Sequence, residues 1–230
     1  MAQAAARPAP DKPKKEGFLS KRISFVLSVL LWLLGALFFN IIIELVGIFI
    51  DYWELPGAAH SSYLLKQELY WINQSFHDVL GSPVETSVRF SQIIYQALFV
   101  WFGFDMAQTA LQTDYLAPIF DYLKATITMI QLFSVRLIII LFSLPVFFIF
   151  TLVAFTDGLM IRDLRRFGGD RESGYKWHYF IKSIKPMFVG PFVVYLASPW
   201  SIHPNWAIFP FVFSVGIAVW VSTAQFKKYM

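Results

Sequence analysis

The 230-residue chain contains no cysteine. This absence excludes disulfide bonds, thiolate metal sites and cysteine nucleophiles. Charged residues are also scarce, at 15% of the chain, where an ordinary soluble domain has roughly a quarter. Hydrophobic residues reach 57% and aromatic residues 19%, which is far from the composition of disordered chains. The composition therefore predicts a membrane protein.

The usual signatures of catalysis and of nucleotide-driven transport are missing as well. The sequence has neither Gly-Lys-Ser nor Gly-Lys-Thr, so it has no P-loop. It has no His-Glu-x-x-His metal motif and no Gly-x-Ser-x-Gly nucleophile elbow. The four histidines are scattered along the chain, at His60, His77, His178 and His203. We therefore expect neither enzymatic activity nor a metal or other cofactor.

Four apolar segments predict the fold class, an all-α integral membrane protein with four transmembrane helices. Residues 23–50 would form a helix of about 42 Å, whereas the hydrocarbon core of a bilayer is about 30 Å thick. This apolar run is too long for a cleavable signal peptide. Residues 137–156 and 206–224 are the second and fourth spans, and residues 187–198 are the third. The third is short unless its helix starts near Trp177, and a re-entrant segment is the alternative.

The distribution of charge predicts the orientation of these spans. Residues 51–135 carry three cationic and eight acidic side chains, whereas residues 157–186 carry seven cationic and four acidic ones. Because cytoplasmic segments are enriched in Lys and Arg, we expect a disordered basic cytoplasmic tail (1–22), an extracytoplasmic region (51–136), a basic cytoplasmic loop (157–186), an outer turn (199–205) and a cytoplasmic C-terminus (225–230).

The extracytoplasmic region is predicted to be helical and partly amphipathic. Apolar residues recur at helical spacing from Ala58 to Val79 and again from Pro118 towards Leu137. The stretch from Phe90 to Phe104 is only about 15 residues long and contains three polar residues, so it is shorter than the roughly 17 to 25 residues of a spanning helix. We interpret it as an interfacial helix.

Polar residues within the first span are candidates for function, because charge inside a membrane is costly. Asn40 and Glu44 share one helix face with Ala36 and Gly47. One interpretation is structural, with Glu44 at the outer headgroup level and without any burial cost. The alternative is a small transporter or proton-coupled channel that uses Glu44 and Asn40. Arg136 and Asp157 bracket the second span, and we interpret both as anchors at the membrane rim.

The basic loop has the most distinctive local sequence. Its glycines permit a compact turn, and its arginines could bind phosphates, acidic lipid headgroups or carboxylates of a protein partner. The alternative is that these arginines are only the positive charge that any cytoplasmic loop carries. We expect no direct binding of nucleic acid, because the cations are offset by acidic residues beside a membrane.

The loop and the last helix also resemble a known family. The pieces Asp157-Gly158-Leu159, Arg162-Asp163-Leu164-Arg165-Arg166-Phe167-Gly168-Gly169, Arg171-Glu172-Ser173 and the closing Phe226-Lys227-Lys228-Tyr229 are similar to integrating conjugative element membrane proteins. The resemblance implies a bacterial inner-membrane protein without known catalytic activity, which works with a type IV secretion apparatus in conjugative DNA transfer. It implies protein partners in a conjugation complex, besides membrane lipids. The loop residues that match, and that we take as a docking surface, are Arg162, Arg165, Arg166, Gly168, Gly169, Arg171, Glu172 and Ser173.

Overall fold

The computed structural model of the chain describes residues 18–75, 83–99, 117–168 and 174–226, and most of these residues are helical. In these ranges there are six helices and no strand: α1 (Phe18–Phe49), α2 (Ala59–Ser75), α3 (Pro83–Phe99), α4 (Ala117–Gly168), α5 (Gly174–Ala197) and α6 (Pro204–Ala224). Four of the helices contain stretches long and apolar enough to cross a membrane, namely Val26–Phe49, Ile119–Gly168, Trp177–Ala197 and Pro204–Ala224. The predicted all-α class with four helices of spanning length is confirmed.

Helix α4 is much longer than a membrane is thick. Its 52 residues extend about 78 Å at 1.5 Å per residue, against about 30 Å for the hydrocarbon core. It runs without a break through residue 136, where we expected an outer helical region to meet the second span. Apolar residues recur at helical spacing on both sides of this position, so nothing in the local sequence stops the helix. A helix of this length is more than twice as long as the hydrocarbon core is thick.

Most of the predicted loop at 157–186 is also helical. Helix α4 continues to Gly168, and α5 starts at Gly174. Leu, Met and Arg dominate residues 159–166, and these residue types favour helix over loop. Gly158, which we took as a turn residue, lies inside α4 because the helix packs closely against α6 there. The third apolar segment is part of α5, and its stretch of spanning length includes residues from Trp177 onward.

Helices α4, α5 and α6 form an antiparallel bundle. Its centre contains three aromatic rings in edge-to-face contact, with the ring centroids of Phe147, Phe188 and Phe192 separated by 5.1–5.4 Å. Such pairs contribute about 0.5–1.5 kcal/mol beyond the area that they bury. We call the end of the bundle where α4 finishes and α5 begins the arginine end. The opposite end, with residues 198–203 between α5 and α6, is the cap end.

Helices α2 and α3 pack on the first half of α4, at the cap end. Leu64 of α2 is buried against Met129 and Leu132 of α4. The Gln131 side chain of α4 donates a hydrogen bond from Nε2 to the backbone oxygen of Ser91 in α3, at 3.0 Å. These contacts build a helical cap on the bundle, in the part of the chain where the sequence predicted amphipathic helices.

Helix α1 lies at the edge of the bundle. Only 11% of its spanning stretch is buried. Leu30, Leu34 and Phe38 are at least half exposed, whereas Ala36, on the opposite face, is buried. An apolar face of this kind suits contact with lipid chains.

The close approach of α4 and α6 at Gly158 gives a testable prediction. A Cβ atom at Gly158 would lie 2.9 Å from the Trp220 backbone oxygen and from the Thr223 Cβ, whereas a Cβ atom at Gly35 in α1 would meet nothing within 4 Å. Gly→Ala in an open helix position stabilises by about 0.5–1 kcal/mol, and overpacking costs about 1–3 kcal/mol. We expect Gly158→Ala to lower the thermal unfolding midpoint in detergent, measured by tryptophan fluorescence, and Gly35→Ala to maintain or raise it. Equal midpoints for the two variants would contradict the packing of α4 on α6.

Candidate functional site

Three of the predicted docking arginines lie on one face of the last turns of α4. Arg162, Arg165 and Arg166 are spaced by three and four residues, which brings their side chains together. Arg162 donates from Nε and Nη2 to Asp163 Oδ1 at 3.3 and 3.1 Å. Arg166 is exposed. The Nε atom of Arg165 is buried and has no hydrogen-bond partner among the described residues. The structure therefore brings these three cations together.

The remaining predicted docking residues are glycines and the residues after α4. Gly168 is the last residue of the helix, and open space surrounds its Cα. Gly169, Arg171, Glu172 and Ser173 lie outside the described residues, as does the compact turn that we expected there.

An apolar stripe runs along the side of α4 opposite the arginines. Met160, Leu164 and Phe167 follow each other at spacings of four and three, and their exposed fractions are 62%, 57% and 92%. The last turns of α4 thus present three arginines on one side and an exposed apolar stripe on the other.

The predicted polar face of α1 is buried inside the protein. Asn40 and Glu44 are both 0% exposed. Asn40 donates from Nδ2 to the backbone oxygen of Leu196 in α5, at 2.8 Å. Glu44 contacts His60 of α2, with 2.9 Å between Glu44 Oε2 and His60 Nδ1. Our expectation that Glu44 is not buried is wrong, because α1 packs with this face against α4 and α5, and His60 at the start of α2 contacts the Glu44 carboxylate.

His60 is fixed by a second contact. The indole ring of Trp53 stacks on the imidazole, with 4.0 Å between ring centroids and 6° between ring planes. Gly47 allows this arrangement, because any Cβ atom at this position would collide with the Trp53 indole. Trp53, His60 and Glu44 therefore form one packed unit that joins α1 to α2.

A second buried polar cluster, which the sequence did not lead us to expect, consists of Glu68, Arg136 and Tyr195. Arg136 donates from Nε to Glu68 Oε1 at 3.0 Å, and the Tyr195 hydroxyl donates to Glu68 Oε2 at 3.1 Å. Both charged side chains are 0% exposed. Burial raises the pKa of the Glu68 carboxyl above its ordinary value, and the Arg136 guanidinium opposes this rise. We call these three residues the ionic cluster.

The guanidinium of Arg136 also binds the end of α5 and the turn that follows it. Nη1 donates to the backbone oxygens of Tyr195 and Ser198, and Nη2 donates to the backbone oxygen of Trp200 at 2.8 Å. The interpretation of Arg136 as a rim anchor is therefore wrong, because its side chain is enclosed by protein. Asp157 is exposed and accepts a hydrogen bond from Trp220 Nε1 at 2.6 Å.

One sequence signal could have revealed the ionic cluster. Glu68 lies four residues after Leu64 and four before Ile72, so it shares a helix face with two buried apolar residues. A carboxylate on a buried face requires a cationic partner. Arg136 is the only cation between residues 125 and 161.

The described residues offer no evident metal site. Nowhere in these ranges do three or more His, Asp or Glu side chains meet in a way that could hold a metal ion. Glu44 and His60 form only a pair.

Residues 52–227 match the family model described as IncC plasmid conjugative DNA transfer protein DtrJ-like. The chain belongs to the DtrJ-like family. No curated protein and no solved structure matches the chain. The DtrJ-like region includes His60, the ionic cluster and the arginines of α4, whereas Asn40 and Glu44 precede it.

The DtrJ-like match confirms the association with conjugative DNA transfer that the resemblance implied. The matched family is described for a plasmid, so the integrating-element origin stays a prediction.

The ionic cluster predicts unequal effects of single and double substitutions in the DtrJ-like region. Arg136→Met leaves the Glu68 carboxylate buried without its cation, which typically costs about 3–5 kcal/mol. The double variant Glu68→Gln/Arg136→Met removes both charges, so we expect it to recover part of this loss. The measurement is the thermal midpoint of the detergent-purified protein. A double variant that is less stable than Arg136→Met would contradict the pairing.

Proposed function

We propose that the protein is a non-enzymatic inner-membrane component of a bacterial conjugative DNA-transfer system that works with a type IV secretion apparatus. Membership of the DtrJ-like family supports the role in transfer, and four helices of spanning length support the membrane location. The resemblance to integrating conjugative element proteins extends this role to transfer systems carried on integrating elements as well as on plasmids.

The observation that carries the proposal is the group of three arginines on one side of the last turns of α4. Arg165 and Arg166 lie in the last turn, and Arg166 is exposed. This surface suits a protein partner that presents carboxylates, because arginine binds carboxylates in a bidentate manner. The partner would be another component of the transfer complex.

The orientation follows from charge. The last turns of α4 carry three arginines, and segments rich in Lys and Arg remain on the cytoplasmic side of a membrane. We therefore place the arginine end in the cytoplasm, with both termini, and the cap end outside. In this orientation the docking surface faces cytoplasmic components that handle DNA.

Transport through Glu44 and Asn40 is not the function that we propose. Asn40 binds the backbone of α5, and Glu44 binds His60 of α2. Both residues connect helices, so the geometry favours a structural role for them.

The docking proposal predicts the effect of charge reversal on mating. Arg165→Glu with Arg166→Glu should lower the transfer frequency by about tenfold or more, since loss of a buried charge contact typically costs 2–5 kcal/mol. Co-purification of the cytoplasmic partner should fall as well, while the amount of protein in the membrane stays unchanged.

The matched control reverses two exposed cations of the cap end, Lys66→Glu with Lys124→Glu, and so makes the same change in net charge. We expect this variant to transfer DNA at a frequency close to that of the wild type. Unchanged transfer in the arginine variant, or an equal loss in both variants, would reject docking by the arginine end.

The proposed orientation can be tested with introduced cysteines, because the natural chain has none. Tyr52 at the cap end and Tyr175 at the arginine end are exposed by 64% and 81%. In intact cells, an impermeant maleimide should label Tyr52→Cys, and it should label Tyr175→Cys only after the membrane is permeabilised. The reverse pattern would show that the arginine end faces outward.

A further inference from the structure

A pocket between α4, α5 and α6 opens at the arginine end. Its volume is about 400 Å³. Residues from all three helices line it, among them Phe155 and Leu159 of α4, Trp177 and Ile181 of α5, and Val219 of α6. It is distinct from the exposed stripe of Met160, Leu164 and Phe167.

The walls of this pocket offer a ligand mainly apolar contacts. The hydroxyls of Ser222 and Thr223 also line it, but they donate to the backbone oxygens of Ala218 and Val219 at 2.6 and 2.8 Å. They therefore have no donor left for a ligand. A pocket of this kind suits a hydrocarbon chain.

One cationic side chain lines this apolar pocket. Of the described residues that line it, Arg162 alone carries a charge, and its side chain is only 24% exposed. The carboxylate that it contacts belongs to its chain neighbour Asp163, which is 55% exposed. One turn further along α4, the buried Nε–H of Arg165 lacks a partner among the described residues. Both groups are suited to an anion.

In two of its three helices, the stretch of spanning length ends beside the pocket. The stretch in α5 starts at Trp177 and the stretch in α6 finishes at Ala224, whereas the stretch in α4 continues to Gly168. The rings of Trp177 and Phe226 are in edge contact, with 6.0 Å between centroids. Aromatic side chains are enriched where spanning helices end, beside the lipid headgroups.

We propose that this pocket binds one acyl chain of an anionic phospholipid, whose phosphate is held by Arg162. The apolar walls accept the chain, and the guanidinium forms charge-assisted hydrogen bonds with the phosphate oxygens. Basic pockets between spanning helices on the cytoplasmic side are suited to anionic headgroups. The proposal concerns a lipid site and does not depend on the role in conjugation.

The test is native mass spectrometry of the full-length protein in nanodiscs that contain phosphatidylglycerol and phosphatidylcholine with identical acyl chains. We expect retained phosphatidylglycerol to exceed phosphatidylcholine by about tenfold, because the choline cation of phosphatidylcholine offsets the phosphate charge that Arg162 binds, whereas phosphatidylglycerol has a net negative charge. Arg162→Gln should bring the two lipids close to equality, and Arg162→Lys should maintain part of the preference. Ile181→Trp fills the pocket and should lower retention of both lipids.

The matched control is Lys182→Gln. Lys182 is exposed on α5 and does not line the pocket, so this variant removes the same charge and should maintain the preference. Equal retention of both lipids by the wild type, or an equal effect of Lys182→Gln and Arg162→Gln, would overturn the proposal. So would displacement of the lipid by glycerol 3-phosphate alone. Transfer frequency is a separate measurement and does not enter this test.

Discussion

The arrangement of the cap end depends on the burial of one guanidinium. Arg136 is 0% exposed, and moving such a charge out of water costs several kcal/mol unless its donors are satisfied. Its donors bind the Glu68 carboxylate and the backbone oxygens of residues 195, 198 and 200. Because the guanidinium fork is planar and rigid, α2, the end of α5 and the turn after it must occupy fixed positions around α4.

This constraint extends to α1 through α2. The 17 residues of α2 are few for an isolated helix, so its stability comes mainly from tertiary contacts. Glu68 joins α2 to α4, and His60, two turns earlier, joins α2 to Glu44 of α1. Asn40 adds a direct bond from α1 to α5. Helix α1 is thus held by polar contacts at the cap end. Much of its opposite face is left to lipid.

The sequence predicts some of these features and not others, for physical reasons. Hydropathy identifies the four spans, because each needs about 20 apolar residues in one run. It also selects Asn40 and Glu44 as unusual. It does not reveal that Glu68 meets Arg136, since these residues are 68 positions apart and no local period connects them. Gly158 was misinterpreted for a related reason: its lack of a side chain serves contact with α6 rather than a turn.

The two ends of the molecule use charge in opposite ways. At the cap end, the buried side chains of Glu44, Glu68 and Arg136 have partners inside the protein, so they connect helices and have little left to offer a ligand. At the arginine end, Arg166 is exposed and Arg165 has an unsatisfied buried Nε–H within the described chain. An unsatisfied donor in a partly desolvated position favours any anion that reaches it. Arg165 therefore offers an anion a buried donor at the arginine end, whereas the buried charges of the cap end hold α2 and the end of α5 around α4.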